Sequence, residues 1–259
     1  MLRFDSNCVA VILAGGQGSR IGGNKAMQLL HGKPLISHVL DRLAPQIEQI
    51  LISVGPKTQC AATETAIRSA PSVREAIFIA DKTQSEYLGP LAGIASALAW
   101  CYDQNHAPRA EYLLTVTVDT VFLPENLLSV MAALLPGQSR TNNQSRTNNQ
   151  AHINGHIQDA DAKPIIRACS LGRIHPAIAL WPLAAQSTHT QQNLADYVAA
   201  IQHTAQKRGG KTPSLLQIQS EFGCALADFP PRPHAIAALR DPFFNINNLA
   251  DLAVAEQST

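Results

Sequence analysis

The chain has 259 residues, of which 46% are hydrophobic and 15% charged, with a formal net charge of +1. Such a composition can bury a sizeable core, and it gives no bulk electrostatic reason to bind a polyanion or a membrane surface, so neither nucleic acid nor membrane is expected as a partner. Five scattered cysteines without zinc-type spacing leave no disulfide framework or structural metal site to expect.

The opening MLRFDSN lacks the basic-then-apolar pattern of a secretory leader, and no apolar run approaches the roughly 20 residues that span a bilayer, so a cytoplasmic location is expected. Cys8–Leu13 is an apolar run ending at glycine and reads as a buried parallel strand. Ile36, Val39, Leu40, Leu43 and Ile47 then recur at helical spacing, with Pro45 ending the helix. Residues 50–54 read as a second strand closed by Gly55-Pro56, 58–69 as a helix, and 77–80 as a third strand stopping at Asp81. Pro90 opens a helix whose Leu91, Ile94, Ala95 and Leu98 share a face. Residues 112–118 form a fourth strand stopping at Asp119, and Pro124 opens a helix through Leu135.

The second half begins with a polar insertion, 137–151, in which QSRTNN occurs twice in tandem. A repeat without apolar period cannot bury surface and is expected to be a mobile loop on a chain that is otherwise a single domain. Residues 163–169 and 177–181 read as strands joined around Gly172, 191–206 as a helix broken at 208–211, and 215–219 as a strand. The stretch 243–256 reads as an extended piece followed by a helix, with Asn248 as its cap and Asp251 as the reciprocal partner. Strands alternating with helices imply an α/β fold, a mostly parallel sheet with helices on both faces. Ligands in such sheets collect at the carboxyl ends of strands, where the 15–25 loop, Asp81 and Asp119 converge.

That loop, Leu13-Ala14-Gly15-Gly16-Gln17-Gly18-Ser19-Arg20-Ile21-Gly22-Gly23-Asn24-Lys25, offers bare backbone N–H groups to an anion. A Walker loop requires lysine directly after the last glycine and then serine or threonine, whereas Asn24 intervenes and Ala26 follows. A dinucleotide fingerprint requires a third glycine where Ile21 stands and an acidic end to the next strand, which here ends in Gly55. The remaining pattern, L-A-G-G-x-x-x-R-[MI]-G-G followed closely by lysine, is the signature loop of nucleotidyltransferases. Early glycines let the backbone approach base and ribose, and the later Arg20 and Lys25 meet phosphates.

Together with Gly32-Lys33-Pro34-Leu35, Gly89-Pro90-Leu91-Ala92-Gly93, Asp119-Thr120, His175-Pro176 and Asn245-Ile246-Asn247, this loop makes the chain resemble the molybdenum cofactor guanylyltransferases. The resemblance implies a Rossmann-like fold of nucleotidyltransferase type that joins GMP from GTP to the phosphate of molybdopterin carrying molybdenum, with magnesium, releasing pyrophosphate. It also implies docking with a molybdoenzyme or its chaperone. It places Leu13, Ala14 and Gly15 around guanine, Gly16 among the substrate-binding residues and Asp81 on the nucleotide. In such a reaction the substrate's phosphate attacks, so the protein aligns anions and neutralises charge. Lys25 and Arg20 are the candidate catalytic cations and Asp119 the candidate magnesium ligand.

His175 is a candidate pterin contact, as is Arg173, and Asn245 and Asn247, two apart, point the same way in an extended strand. Structural alternatives stand beside these roles: Asp119 as a helix cap, Asp81 as a turn residue, Lys25 as a solvated cation, Arg20 paired with a carboxylate, His175 as a core imidazole. Three departures from the family pattern are Asn24 for aspartate, Ser53-Val54-Gly55 for Asn-Ala-Asn, and Val121 for proline. The other functional readings are cytidylyl transfer to the same cofactor, nucleotidyl transfer to a sugar phosphate, and a nucleotide-binding regulatory module without catalysis.

Overall fold

Alternate residues of the first strand feed two different cores, and that division organises the molecule. The computed structural model describes residues 7–16, 21, 23–70, 76–81, 89–103, 110–136, 163–184, 194, 196–198, 200–201 and 213–258. Arg20, the 137–151 insertion and the helix break at 208–211 lie outside these residues. The elements run β1 (Cys8–Leu13), β2 (Leu29–Leu30), β3 (Lys33–Pro34), α1 (Leu35–Leu43), β4 (Gln49–Pro56), α2 (Lys57–Arg68), β5 (Ile77–Asp81), α3 (Pro90–Tyr102) and β6 (Tyr112–Thr117). They continue with α4 (Leu127–Ala132), β7 (Ile165–Ser170), β8 (Arg173–Pro182), α5 (Leu215–Ser220), β9 (Cys224–Phe229) and α6 (Leu249–Ala255).

Seven strands form one sheet in the order β5-β4-β1-β6-β8-β7-β9, and β2 and β3 make a separate small hairpin. β5, β4, β1 and β6 run parallel, as do β7 and β9, while β8 is antiparallel to both of its neighbours. On one face Cys8, Ala10 and Ile12 pack with Leu35, Ile36 and Val39 of α1; on the other Val9 and Val11 pack with Leu91, Ile94 and Leu98 of α3. Burial on both faces explains why β1 reads as a continuous apolar run with no alternation. No helix among the described residues is long and apolar enough to cross a membrane.

The expected mostly parallel α/β sheet is present, with differences in the second half. Residues 215–219, expected as a strand, are helical: Ser214 and Gln217 form a capping box, each side chain bonding the other's backbone N–H. That reciprocal cap outweighs the ambiguity of a short apolar run. The strand beside it is β9, which follows Gly223 in a left-handed turn (φ 72°). Past Pro124 the chain first makes a turn, closed by Leu127 N–H donating to the Pro124 carbonyl, so α4 is shorter than 124–135.

β8 starts at Arg173, before the expected 177–181 segment, and its pairing with β7 shifts between Ala179 and His175. Pro176 falls inside that irregularity, where its missing N–H breaks no ladder bond. The carbonyls there are still satisfied, Pro176 by Gln219 Nε2 at 2.8 Å and Ala177 by Thr115 Oγ1 at 2.9 Å. At the far end, Asn248 and Asp251 form the expected reciprocal cap of α6.

Candidate active site

The chain winds outward from β1 to β4 and β5, then returns to β6 on the other side of β1. The crevice of such a sheet opens where the order reverses, at the carboxyl ends of β1 and β6. Gly23 (φ 84°) and Asn24 (φ 34°) take left-handed conformations that turn the β1 loop into a short 3-10 turn, Lys25–Met27. Asparagine is among the few residues with a side chain that visit this region readily, which gives Asn24 a local backbone role.

Lys25 Nζ thereby reaches Asp119 Oδ2 at 2.6 Å and Asn247 Oδ1 at 3.1 Å. The Lys25 and Asp119 side chains are only 13% and 14% exposed. The second oxygen, Asp119 Oδ1, is buried and has no hydrogen-bond partner among the described residues. A buried carboxylate oxygen with free lone pairs suits a cation. No group of three or more His, Cys, Asp or Glu that could hold a metal occurs among the described residues. One carboxylate is nevertheless enough for Mg²⁺, which commonly takes one or two together with substrate phosphates and water.

The segment carrying Asn247 docks on the loop after β6. Ile246 N–H donates to the Asp119 carbonyl at 3.1 Å, and Thr120 Oγ1 donates to Asn245 Oδ1 at 2.9 Å. Thr117 and Thr120 hydroxyls complete the chain at 2.7 Å. Lys25, Asp119, Asn245 and Asn247, separated by up to 222 positions, therefore form one connected cluster.

Asp81 ends β5, two strands from β1, and is 8% exposed. Ser53 Oγ donates to its Oδ1 at 3.0 Å. Burial pushes the Asp81 carboxyl above its ordinary range, and the Ser53 bond partly opposes that. An elevated carboxyl pKa means the folded chain holds that proton more tightly than the unfolded one, so stability falls as pH rises from the unfolded pKa toward the folded one. Asp81→Asn is therefore expected to raise the melting temperature of the ligand-free protein at pH 7 to 8. The same change should weaken nucleotide affinity about tenfold if the carboxylate meets the ligand; thermal scans and titration with GTP check both.

Leu13, Ala14, Gly15 and Gly16 lie at the carboxyl end of β1, with Ala14 N–H donating to the Ser53 carbonyl at 2.8 Å. Gly55 (φ 85°) turns its backbone directly onto Gly15: a Cβ on Gly15 would sit 2.5 Å from both Cα and N of Gly55. A Cβ on Gly93 of α3 would sit 2.6 Å from Ser53 Oγ. The departures Ser53 and Gly55 thus each have a packing role at the floor of the crevice.

His175 is placed with other partners: its Nε2 lies 2.8 Å from Ser170 Oγ, and its ring packs on Phe243 at a centroid distance of 4.8 Å. Burial holds its pKa below the usual imidazole value, Asp241 opposes that and Arg173 reinforces it. Arg173 opens β8 and is exposed. Sequence reasoning missed Ser170 and Asp241, read Ser53 only as a departure from the family pattern, and read Thr120 only as part of the Asp-Thr pair. Ser53 and Ser170 lie within buried strands and Asp241 in a loop, and all three act through contacts distant in sequence.

A cleft of about 810 Å³ opens beyond Val121 and Phe122, lined also by Arg42, Glu125 and Arg232. It contains none of the predicted site residues. Burial pushes the thiols of Cys8 and Cys224 upward, so they stay protonated and are poor nucleophiles.

A mostly parallel sheet with a glycine loop after its first strand, and a lysine–aspartate pair at the switch point, is the arrangement of a nucleotidyltransferase. The chain belongs to the MobA-like NTP transferase family, whose domain matches residues 10–207. Over 249 residues it is 30% identical to a molybdenum cofactor guanylyltransferase of Rhodopseudomonas palustris, covering 95% of this chain and 90% of that protein. The crystal structure of molybdopterin-guanine dinucleotide biosynthesis protein A from Archaeoglobus fulgidus has the same fold, with a TM-score of 0.56 at 20% identity over 97% of each chain. So does CMP:2-keto-3-deoxy-manno-octonic acid synthetase complexed with CTP, with a TM-score of 0.54 at 12% identity over 97% of each chain. The fold is therefore shared by proteins that use different nucleotides, and the choice of substrate has to come from the site.

Proposed function

We propose that this protein transfers GMP from GTP to the terminal phosphate of molybdopterin carrying molybdenum, acting in the cytoplasm. An oxygen of the acceptor phosphate attacks the α-phosphorus of GTP. A new P–O bond forms, the bond to the β-phosphate breaks, and pyrophosphate leaves with the electron pair. The attacking group is already an anion, so no protein nucleophile is required, and the protein's task is alignment and charge neutralisation.

The observation that carries this reading is Lys25 held 2.6 Å from Asp119 at the switch point, with Asp119 Oδ1 buried and without a hydrogen-bond partner among the described residues. An ammonium has three N–H donors. Asp119 and Asn247 accept from two, which leaves the third for a phosphate oxygen. Magnesium bound through Asp119 and phosphate oxygens would supply the remaining neutralisation of the triphosphate. Backbone around Leu13, Ala14, Gly15 and Gly16 would receive guanine, and Asp81 would meet the nucleoside. His175 and Asn245 would belong to the acceptor side. The product would pass to a molybdoenzyme or its chaperone.

Guanine is favoured over cytosine by the Leu-Ala-Gly-Gly opening of the loop and by relatives named for guanylyl transfer. The test is product formation from molybdenum-loaded molybdopterin and magnesium with GTP or CTP side by side. GTP is expected to be preferred about 100-fold in kcat/KM. Equal or better use of CTP would overturn the assignment, and absence of product with either would return the protein to a binding role.

A further inference from the structure

Three groups at the β7–β8 turn bond to one another beside the crevice. Ser170 Oγ is fully buried, donates to Asp241 Oδ1 at 2.6 Å and lies 2.8 Å from His175 Nε2. A hydroxyl has one proton, and a carboxylate only accepts. That proton therefore goes to Asp241, and His175 Nε2–H donates to Ser170. An activated serine has the opposite order, with imidazole accepting the hydroxyl proton and the carboxylate behind the imidazole. This cluster is an anchor and not a nucleophile.

What it anchors is the segment 241–247. Asp241 Oδ1 also accepts the Phe243 backbone N–H at 2.9 Å. The Phe243 ring packs on His175 and meets Phe229 of β9 edge-on at 5.1 Å. From there the chain crosses the carboxyl edge of the sheet, passing from β7 over β8 to β6 and β1. Three strand spacings of about 4.8 Å come to about 14 Å, a distance that six extended residues can span. Between anchor and site the backbone–backbone bonds among the described residues are Phe244 N–H to the Asp241 carbonyl and Ile246 N–H to the Asp119 carbonyl, each 3.1 Å. The strap ends with Asn245 on Thr120 and Asn247 on Lys25.

We propose that Asp241 and Ser170 are positioning residues for nucleotidyl transfer, acting by holding this strap so that Asn247 keeps Lys25 aimed at the phosphates. The inference rests on the function proposed above. It adds two residues that touch neither substrate nor Lys25 directly.

Asp241→Asn and Ser170→Ala are each expected to lower kcat about tenfold, with KM for GTP within about twofold, when rates are normalised to folded protein. In an Asn247→Ala background the same substitutions should cost less than about twofold, because the residue they act through is gone. A purely structural role would lower the melting temperature, leave kcat per folded molecule unchanged, and be indifferent to Asn247. Unchanged kcat in both single variants, or a full tenfold loss persisting in the Asn247→Ala background, would overturn the proposal. If Asp241→Asn does not fold, Ser170→Ala decides the matter alone. Two controls separate the levels: absence of GMP transfer by the parent protein means that the proposed function has failed, and turnover retained by Lys25→Ala means that the role of the lysine has failed; if Lys25→Ala abolishes turnover while the anchor variants are normal, only the positioning role has failed.

Discussion

Asp119→Asn is expected to cut turnover about 1000-fold while the protein remains folded at assay temperature. The carboxylate does two jobs with two oxygens. Oδ2 holds Lys25 at 2.6 Å, and Oδ1 is buried with no protein partner among the described residues. An amide can keep one acceptor for Lys25 only by turning an NH₂ toward the place where a cation would sit, or the reverse. Either orientation removes a charge from a site that has to balance a triphosphate. The structural cost is smaller, about 1 to 3 kcal/mol, because Asn247 still accepts from Lys25. Pyrophosphate release at saturating magnesium and GTP is the measurement, with circular dichroism to establish folding. Retention of more than about a tenth of parental turnover would contradict the assignment.

The second large effect concerns backbone and not charge. Gly15→Ala would put a Cβ 2.5 Å from both Cα and N of Gly55 and 3.2 Å from the Val54 carbonyl carbon. Neither side can retreat easily. β1 and β4 are locked in parallel register from Val9↔Gln49 to Leu13↔Ser53, and Ala14 N–H bonds the Ser53 carbonyl. Overpacking of this kind is expected to cost about 3 kcal/mol, or a fall of about 6 to 12 °C in melting temperature for a chain of this size. Nucleotide affinity should collapse with it. Gly16→Ala is the informative contrast, since a Cβ there meets nothing within 4 Å. Its melting temperature should stay within about 1 °C of the parent, so any loss of GTP affinity in that variant reports on the ligand and not on the fold. A Gly15→Ala protein as stable as Gly16→Ala would refute the close-contact account.

The parallel half of the molecule was legible because its strands are buried on both faces and end in recognisable residues. Asp81 and Asp119 could be placed near the glycine loop without any coordinates, since strand ends gather on one edge of a parallel sheet. The Lys25–Asp119 contact, across 94 positions, follows from that rule. The second half was less legible for reasons specific to it. Leu215, Leu216 and Ile218 form an apolar run too short to show a period, and the decisive signal is the Ser214/Gln217 cap. β9 carries Ala225 and Ala227, residues of low strand propensity, so its apolar run is a weak strand signal. Ser53 stands where the family pattern has asparagine; its bond to Asp81 and its fit against Gly93 need the third dimension. The Ser170–Asp241 bond spans 71 positions, from the end of β7 to the loop before the strap, and nothing local at either position announces it.

The strap also sets an order of events during synthesis. When a ribosome has produced residue 229, every strand of the seven-stranded sheet has been made, along with Lys25, Asp81 and Asp119. Asn245 and Asn247 have not. Chains fold from the amino end as they emerge, so a nascent chain can acquire its architecture before the lysine receives its last partner. Competence for chemistry is thus deferred until the strap has been laid across the finished sheet.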